Sequence, residues 1–291
     1  IMITGDHADT AFAIAGELGI TNTQENVMTG AELDTLSDEE IQEVLKTKRV
    51  FARVSPENKV QIVNALQANA EIVAMTGDGV NDAPSLKAAD IGIAMGKRGS
   101  EVSREAADLI LMDDNFTTIV ETIHDGRRIY DNIRKAIGYV FAIHIPIAFS
   151  ALLAPFFNIR PTDLLLLPVH VVLLELIIDP TCSIVLERQP AESNIMNCKP
   201  RNPKESILTK GTLIKGILQG FIIFAFSFST YFNALQQNPD NSALARTMGL
   251  SIVMIANIFL VMVNSSNQES IFCSINKLIK DKIFWAVIFG T

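Results

Sequence analysis

The fold class the sequence predicts is an incomplete, doubly wound α/β domain with a parallel sheet, joined to an all-α bundle of transmembrane helices. Three observations predict it. Short apolar runs alternate with helical patterns in the first 115 residues, long uncharged apolar stretches recur after residue 136, and charge divides at the same place. Residues 1–135 hold 13 Lys and Arg against 23 Asp and Glu, whereas residues 136–291 hold 11 against 9. An acidic soluble part is therefore expected to precede an apolar membrane part, and the negative balance excludes nucleic acid as a partner.

In the first part the strand candidates are Ile1–Ile3, Val50–Ala52, Ile72–Met75, Ile91–Ala94 and Leu109–Leu111. Helical patterns separate them at Ala8–Leu18, Pro56–Gln67, Pro84–Ala89 and Glu101–Ala107, and this alternation is the signature of parallel strands with helical crossovers. Ser55-Pro56-Glu57 supplies a cap and a first-turn proline. Ile1 opens a strand with no basic leader and no initiating Met, so a fragment of a longer protein is expected. Cys182, Cys198 and Cys273 have neither disulfide nor metal spacing, so no disulfides are expected.

From Phe116 a helical pattern continues through Ile133 and becomes uncharged from Ala136 to Phe157. Further spans are expected at 164–186, 212–231, 247–263 and, cut short by the chain end, 283–291. The resulting division is 1–115 for the soluble domain, 116–135 for a stalk and 136–291 for the transmembrane domain. Basic residues orient it. Arg188, Lys199, Arg201, Lys204 and Lys210 lie in one loop and Lys277, Lys280 and Lys282 in another, which places both loops and residues 1–135 in the cytoplasm. The same apolar runs in a soluble protein would be buried core helices, but their number exceeds what one core needs.

Met75-Thr76-Gly77-Asp78-Gly79-Val80-Asn81-Asp82-Ala83-Pro84 leaves a strand and enters a helix through a turn rich in glycine, where ligands of parallel sheets bind. Asp78 and Asp82 in such a turn suit Mg²⁺, which takes one or two carboxylates together with phosphate oxygens and water. Thr4-Gly5-Asp6 occupies an equivalent strand end, with a hydroxyl and backbone amides able to hold phosphate oxygens, and Lys59 can add positive charge. An ordinary acidic turn and a solvated surface lysine are the plainer readings of each piece alone.

In the second predicted span Glu175 and Asp179 are four residues apart, on one face of an α-helix. Carboxylates inside a bilayer are costly unless a cation or protons balance them. Pro180 and Pro146 free the carbonyls of Leu176 and Ala142, and His144 adds an imidazole in the preceding span. His144 as a hydrogen-bonded bundle histidine stays open as an alternative. His170 lies about 140° around the helix from Glu175 and is left out of the site. Carboxylate oxygens suit Ca²⁺, and an imidazole shifts the preference toward Mn²⁺.

Together, Thr4-Gly5-Asp6, Phe51-Ala52-Arg53-Val54-Ser55-Pro56-Glu57-Asn58-Lys59, Thr76–Pro84, Ala89–Gly96 and Gly126–Lys135 strongly resemble cation-transporting P-type ATPases of the calcium-pump-like branch, over essentially the whole chain. The resemblance implies a haloacid-dehalogenase-like domain working with ATP and Mg²⁺, in a multi-pass protein of the plasma (inner) membrane. By position, Asp78 would ligate Mg²⁺, with Asn81 and Asp82 supporting metal and phosphate. Thr4, Gly5 and Asp6 would belong to the phosphoryl site, Lys59 would stabilise the transferring charge, and Arg53 would meet the nucleotide. Glu175, Asp179 and His144 would hold the transported cation. The family's Asp-Lys-Thr-Gly-Thr motif with its nucleophile is absent, so the chain alone is expected to be inactive and to need the missing N-terminal part of the pump. Ile147 stands where two-site calcium pumps carry an acid, which implies one ion per cycle. A proton or monovalent-cation pump, a membrane-anchored phosphatase of the same domain type and a non-catalytic subunit are the alternatives.

Overall fold

A computed structural model describes residues 1–202, 205–266, 280–282, 284 and 285, without the side chains of Ile177, Ile178, Asp179 and Thr181. The side chain of Asp179, together with Lys204, Cys273, Lys277 and all of the final predicted span from Ile283 except Phe284 and Trp285, therefore lies outside the described residues. The chain divides into two compact units, Ile1–Val120 and Glu121–Thr291.

The first unit runs β1 (Met2–Ile3), α1 (Ala8–Glu17), β2 (Val27–Thr29), α2 (Gly30–Leu33), α3 (Asp38–Val44), β3 (Val50–Ala52) and α4 (Pro56–Ala68). It continues with β4 (Ala74–Gly77), α5 (Ala83–Ala88), β5 (Ile91–Met95), α6 (Glu101–Ala106) and β6 (Leu109–Leu111). The strands form two three-stranded parallel sheets, ordered β1-β3-β2 and β4-β5-β6. Val50 faces Met2 on one side and Val27 on the other, so β3 is the central strand of its sheet. Val50, Phe51 and Ala52 are fully buried, as a central parallel strand covered on both faces requires.

All five expected strands form, and the expected helices agree to within about a residue at each end. Strand β2 and helices α2 and α3 are additional. Their helix starts carry a legible signal, because Thr29 with Glu32 and Ser37 with Glu40 each form a reciprocal capping box.

The second unit begins in the first turns of α7 (Thr117–Leu153), one helix of 37 residues that contains both the expected stalk and the first expected span. Pro146 lies inside it. Pro146 cannot donate to the Ala142 carbonyl. That carbonyl meets Gly220 so closely that a β-carbon there would collide with it, which marks a close backbone crossing of α7 and Lys210–Gln237.

The second predicted span starts later than expected, because Pro168 sets the first helical turn. Helix α8 (Pro168–Leu173) passes through a π-turn (Leu174–Ile178) into α9 (Asp179–Glu187). Helices α10 (Lys210–Gln237) and α11 (Ser242–Asn264) complete the described elements, each a few residues longer than its predicted apolar run. Among the described residues, three helical stretches are long and apolar enough to cross a membrane: Thr117–Phe157, Lys210–Gln237 and Ser242–Asn264.

The core of the second unit joins Tyr139 and Ile143 to Leu174, Cys182, Phe224, Tyr231 and Val253. Cys182 is thus a packing residue, and neither it nor Cys198 forms a disulfide among the described residues. Buried polar ties close the two ends of the unit. Asn132 donates to the carbonyls of Glu187 and Gln189, at 3.0 and 2.7 Å, and Lys135 pairs with Glu192 at 3.0 Å. At the other end Tyr231 donates to the Asp163 carbonyl, and Arg246 donates to those of Leu164 and Thr162.

Candidate functional site

The phosphate-type loop is built at the carboxyl end of β4. Asp82 follows β4 by one tight turn, and its carboxylate folds back over that turn: Oδ2 accepts from the amides of Asp78 at 3.2 Å and Gly79 at 3.0 Å. Its other oxygen, Oδ1, lies 2.5 Å from Lys59 Nζ. Gly77 makes the fold-back possible, since a β-carbon there would lie 2.5 Å from Asp82 Cβ. Gly77→Ala is accordingly expected to destabilise the first unit by about 1–3 kcal/mol, read as a shift in its denaturation midpoint.

Asp82 is 7% exposed, and its environment sets opposing forces on its carboxyl group. Burial pushes the pKa up, but the Lys59 ammonium and the two loop amides outweigh it and hold the group below its ordinary range. A depressed folded pKa stabilises the fold at pH values above the unfolded one, and that stabilisation disappears as the pH falls through the folded value. The stability difference between the native protein and Asp82→Asn should therefore be constant from neutrality to about pH 5 and shrink below about pH 4, as urea titrations across that range would show.

The structure alters the expected division of labour between the two carboxylates. Asp82 has both oxygens engaged and holds the turn, whereas Asp78 is exposed and its carboxylate makes no hydrogen bond among the described residues. Asp78 is held by its backbone instead: its carbonyl accepts from Ser100 N at 2.8 Å and Ser103 Oγ at 3.1 Å. Asn81 is exposed beside it. A fixed turn offering one free carboxylate fits Mg²⁺, which takes its remaining ligands from phosphate and water. No group of three or more His, Cys, Asp or Glu that could form an all-protein cage occurs among the described residues.

The other sheet contributes Thr4, Gly5, Asp6 and Arg53. The Thr4 hydroxyl donates to Asp6 Oδ2 at 3.0 Å and accepts from Asp6 N at 3.1 Å, so it is already engaged in its own turn. Gly5 is open, with nothing within 4 Å of where a β-carbon would stand. Arg53 adopts φ 50°, its amide donates to the Asp6 carbonyl at 3.0 Å, and its guanidinium lies 2.7 Å from His7 Nε2. Gly30 packs against the Arg53 carbonyl at this bend, and Asn58, almost fully buried, ties the α4 cap to Asp34. Sequence reasoning did not single out Gly30, Asn58 or Ser103. Lys59, one turn into α4, joins this sheet edge to the turn after β4.

In the second unit Glu175 lies in the π-turn and Asp179 opens α9. The carboxylate of Asp179 is outside the described residues, so only Glu175 of the two expected acids is described here. The structure brings Glu175 to His144, with Oε1 3.2 Å from Nε2. His144 Nδ1 lies 2.7 Å from the Val140 carbonyl, which only accepts, so Nδ1 carries a proton. His170 is apart from this pair, its Nδ1 accepting from the Leu167 amide at 3.3 Å at the start of α8. Asn257, buried on α11, presents an Oδ1 without a hydrogen-bond partner among the described residues. A lone amide within the apolar run of α11 was the signal that could have found it.

Two family descriptions match the chain: haloacid dehalogenase-like hydrolase over residues 1–90, and cation transporting ATPase, C-terminus, over residues 163–291. Residues 163–291 thus match the C-terminal part of cation-transporting ATPases and residues 1–90 a haloacid dehalogenase-like domain, and the membrane-length helices mark an integral membrane protein. Among its relatives is the calcium-transporting ATPase of Bacillus subtilis, 40% identical over 272 residues, which are 94% of this chain and 30% of that protein. The cation-transporting ATPase pma1 of Synechocystis is 40% identical over 262 residues, 88% of this chain and 28% of that protein. The probable cation-transporting ATPase F of Mycobacterium tuberculosis is 38% identical over 265 residues, 89% of this chain and 28% of that protein. The chain thus spans about 30% of the length of the curated relatives it matches.

Proposed function

We propose that this chain is the C-terminal part of a pump that uses ATP and Mg²⁺ to move a divalent cation across the plasma (inner) membrane, through an aspartyl phosphate whose nucleophile this chain does not contain. Residues 1–115 belong to the phosphorylation domain, 116–135 to a stalk and 136–291 to the transmembrane domain, with residues 1–135 in the cytoplasm.

The observation that carries the reading is the Lys59–Asp82 pair. It fixes the turn, brings a positive charge to the strand ends and leaves Asp78 as the free carboxylate, which is the arrangement phosphoryl transfer needs. In the proposed roles Asp78 ligates Mg²⁺, which supplies charge neutralisation on the phosphates, and Asp82 and Asn81 support that site. Thr4, Gly5 and Asp6 position phosphoryl oxygens once the Thr4 hydroxyl exchanges its bond to Asp6. Lys59 stabilises the transferring charge and Arg53 meets the nucleotide.

Glu175, Asp179 and His144 hold the transported cation, one per cycle. Ca²⁺ is the first choice, supported by the carboxylate donors and by the names of relatives such as that of Bacillus subtilis. Mn²⁺ is the second, supported by the imidazole. A proton or monovalent-cation pump is the alternative reading, supported by the close approach of His144 Nε2 to Glu175 Oε1. A merely membrane-anchored phosphatase gives Glu175 no task. ATP hydrolysis by the full-length protein, measured against Ca²⁺, Mn²⁺ and pH in turn, tests the assignment. Stimulation by Ca²⁺ and more weakly by Mn²⁺ is expected, whereas hydrolysis indifferent to every divalent cation but responsive to pH would replace it with the alternative.

A further inference from the structure

A cavity of about 250 Å³ lies between α7 and the first turns of α10, away from His144 and Glu175. Arg134, Lys135 and Lys215 line it together with Thr212, Gln219 and Asn264, and every charged residue in its wall is positive. Two glycines shape it: a β-carbon at Gly216 would lie 3.1 Å from the Gly138 carbonyl, so the helices touch there and leave the space beside their crossing.

The three cations are unequally balanced. Lys135 is satisfied by Glu192 at 3.0 Å. Arg134 spends one N–H on the hydroxyl of Thr209, at 3.2 Å, out of the five a guanidinium carries. Lys215 makes no ion pair among the described residues. Arg134 and Lys215, the latter exposed, thus converge on one open-sided space, and their mutual repulsion there is relieved when an anion enters it.

Position narrows the anion. Arg134 and Lys135 immediately precede the uncharged run 136–157, and Lys215 lies in the second turn of α10, so the cavity sits where the spans leave the hydrocarbon. Basic pockets between spans at that level receive phosphate headgroups, and a guanidinium matches a phosphate with paired N–H donors. Lysines that merely reach the interface from a helix surface would not need a walled cavity or a shared one. At roughly 30 Å³ per water, the space holds a phosphate group and several waters.

We propose that this cavity is a binding site for a phosphate-bearing anion, taken from the headgroup of an anionic phospholipid or from free phosphate, and held by Arg134 and Lys215. The site is independent of the transport reading above and of the identity of the transported ion.

Retention of phosphatidylglycerol against phosphatidylcholine by the full-length protein, after exchange into detergent, tests the headgroup source, and equilibrium binding of radiolabelled inorganic phosphate tests the free one. In the double variant Arg134→Gln, Lys215→Gln, phosphatidylglycerol retention or phosphate binding should fall by roughly 25-fold, about fivefold for each charge. Lys210→Gln, outside the cavity, should leave both unchanged. Loss of the lipid signal assigns the headgroup, and loss of the phosphate signal without lipid retention assigns the free anion. Lys215→Arg keeps the charge and should bind like the native protein. Equal binding by native protein and double variant, no binding of either probe by the native protein, or failure of a normally folded Lys215→Arg to bind would overturn the proposal.

Discussion

Lys59→Met should slow phosphorylation of the full-length pump by ATP by roughly 10²- to 10³-fold, the loss typical when one preorganised charge donor is removed from a reacting centre. The loss has two sources in the structure. Lys59 Nζ, 2.5 Å from Asp82 Oδ1, is the cation proposed above to meet developing phosphate charge. It is also the counter-charge of a carboxylate that is largely buried, so its removal leaves Asp82 to rely on the amides of Asp78 and Gly79 alone. Lys59→Arg keeps the charge but not the compact ammonium, and should recover part of the rate. Initial rates of acid-stable phosphoprotein formation measure both variants, and a rate in Lys59→Met within a few fold of native would remove Lys59 from the transfer step.

Glu175→Gln should raise the cation concentration needed for half-maximal ATP hydrolysis by roughly a hundredfold or more, because a divalent site loses one of its few charged ligands. The substitution preserves shape and can still bond to His144, so the π-turn from Leu174 to Ile178 should survive it. Retained folding with lost ion dependence separates a ligand from an anchor. If half-maximal stimulation stayed where it is in the native protein, the carboxylate would be only the partner of His144.

Much of this architecture is legible in the sequence because its signals are local. Val50-Phe51-Ala52 reads as a buried strand, Ser55-Pro56 as a helix start, and Gly77-Asp78-Gly79 as a turn, since each depends on the conformational limits of a few adjacent residues. Strand β2 was not legible, because three half-buried residues give no periodicity to read. The partners of the site residues were not legible either. Asp82 and Asp78 look equivalent along the chain, and only the position of α4 relative to the turn decides that Asp82 takes Lys59 while Asp78 stays free. The Ala142 carbonyl illustrates the same limit. Pro146 announces that it loses its helical donor, but the approach of Gly220, 78 positions away, does not show along the chain. In α9 the proline at position 180 was visible, and the π-turn that accommodates it was not.

Under the proposed function, a carboxylate pair in the membrane unit binds the transported ion. Equilibrium binding of radiolabelled Ca²⁺ to the purified full-length protein, without ATP, should show about one saturable ion per molecule in the native protein and none in either Glu175→Gln or Asp179→Asn at the same concentration. Undiminished binding in both variants would remove the carboxylate pair from the ion site.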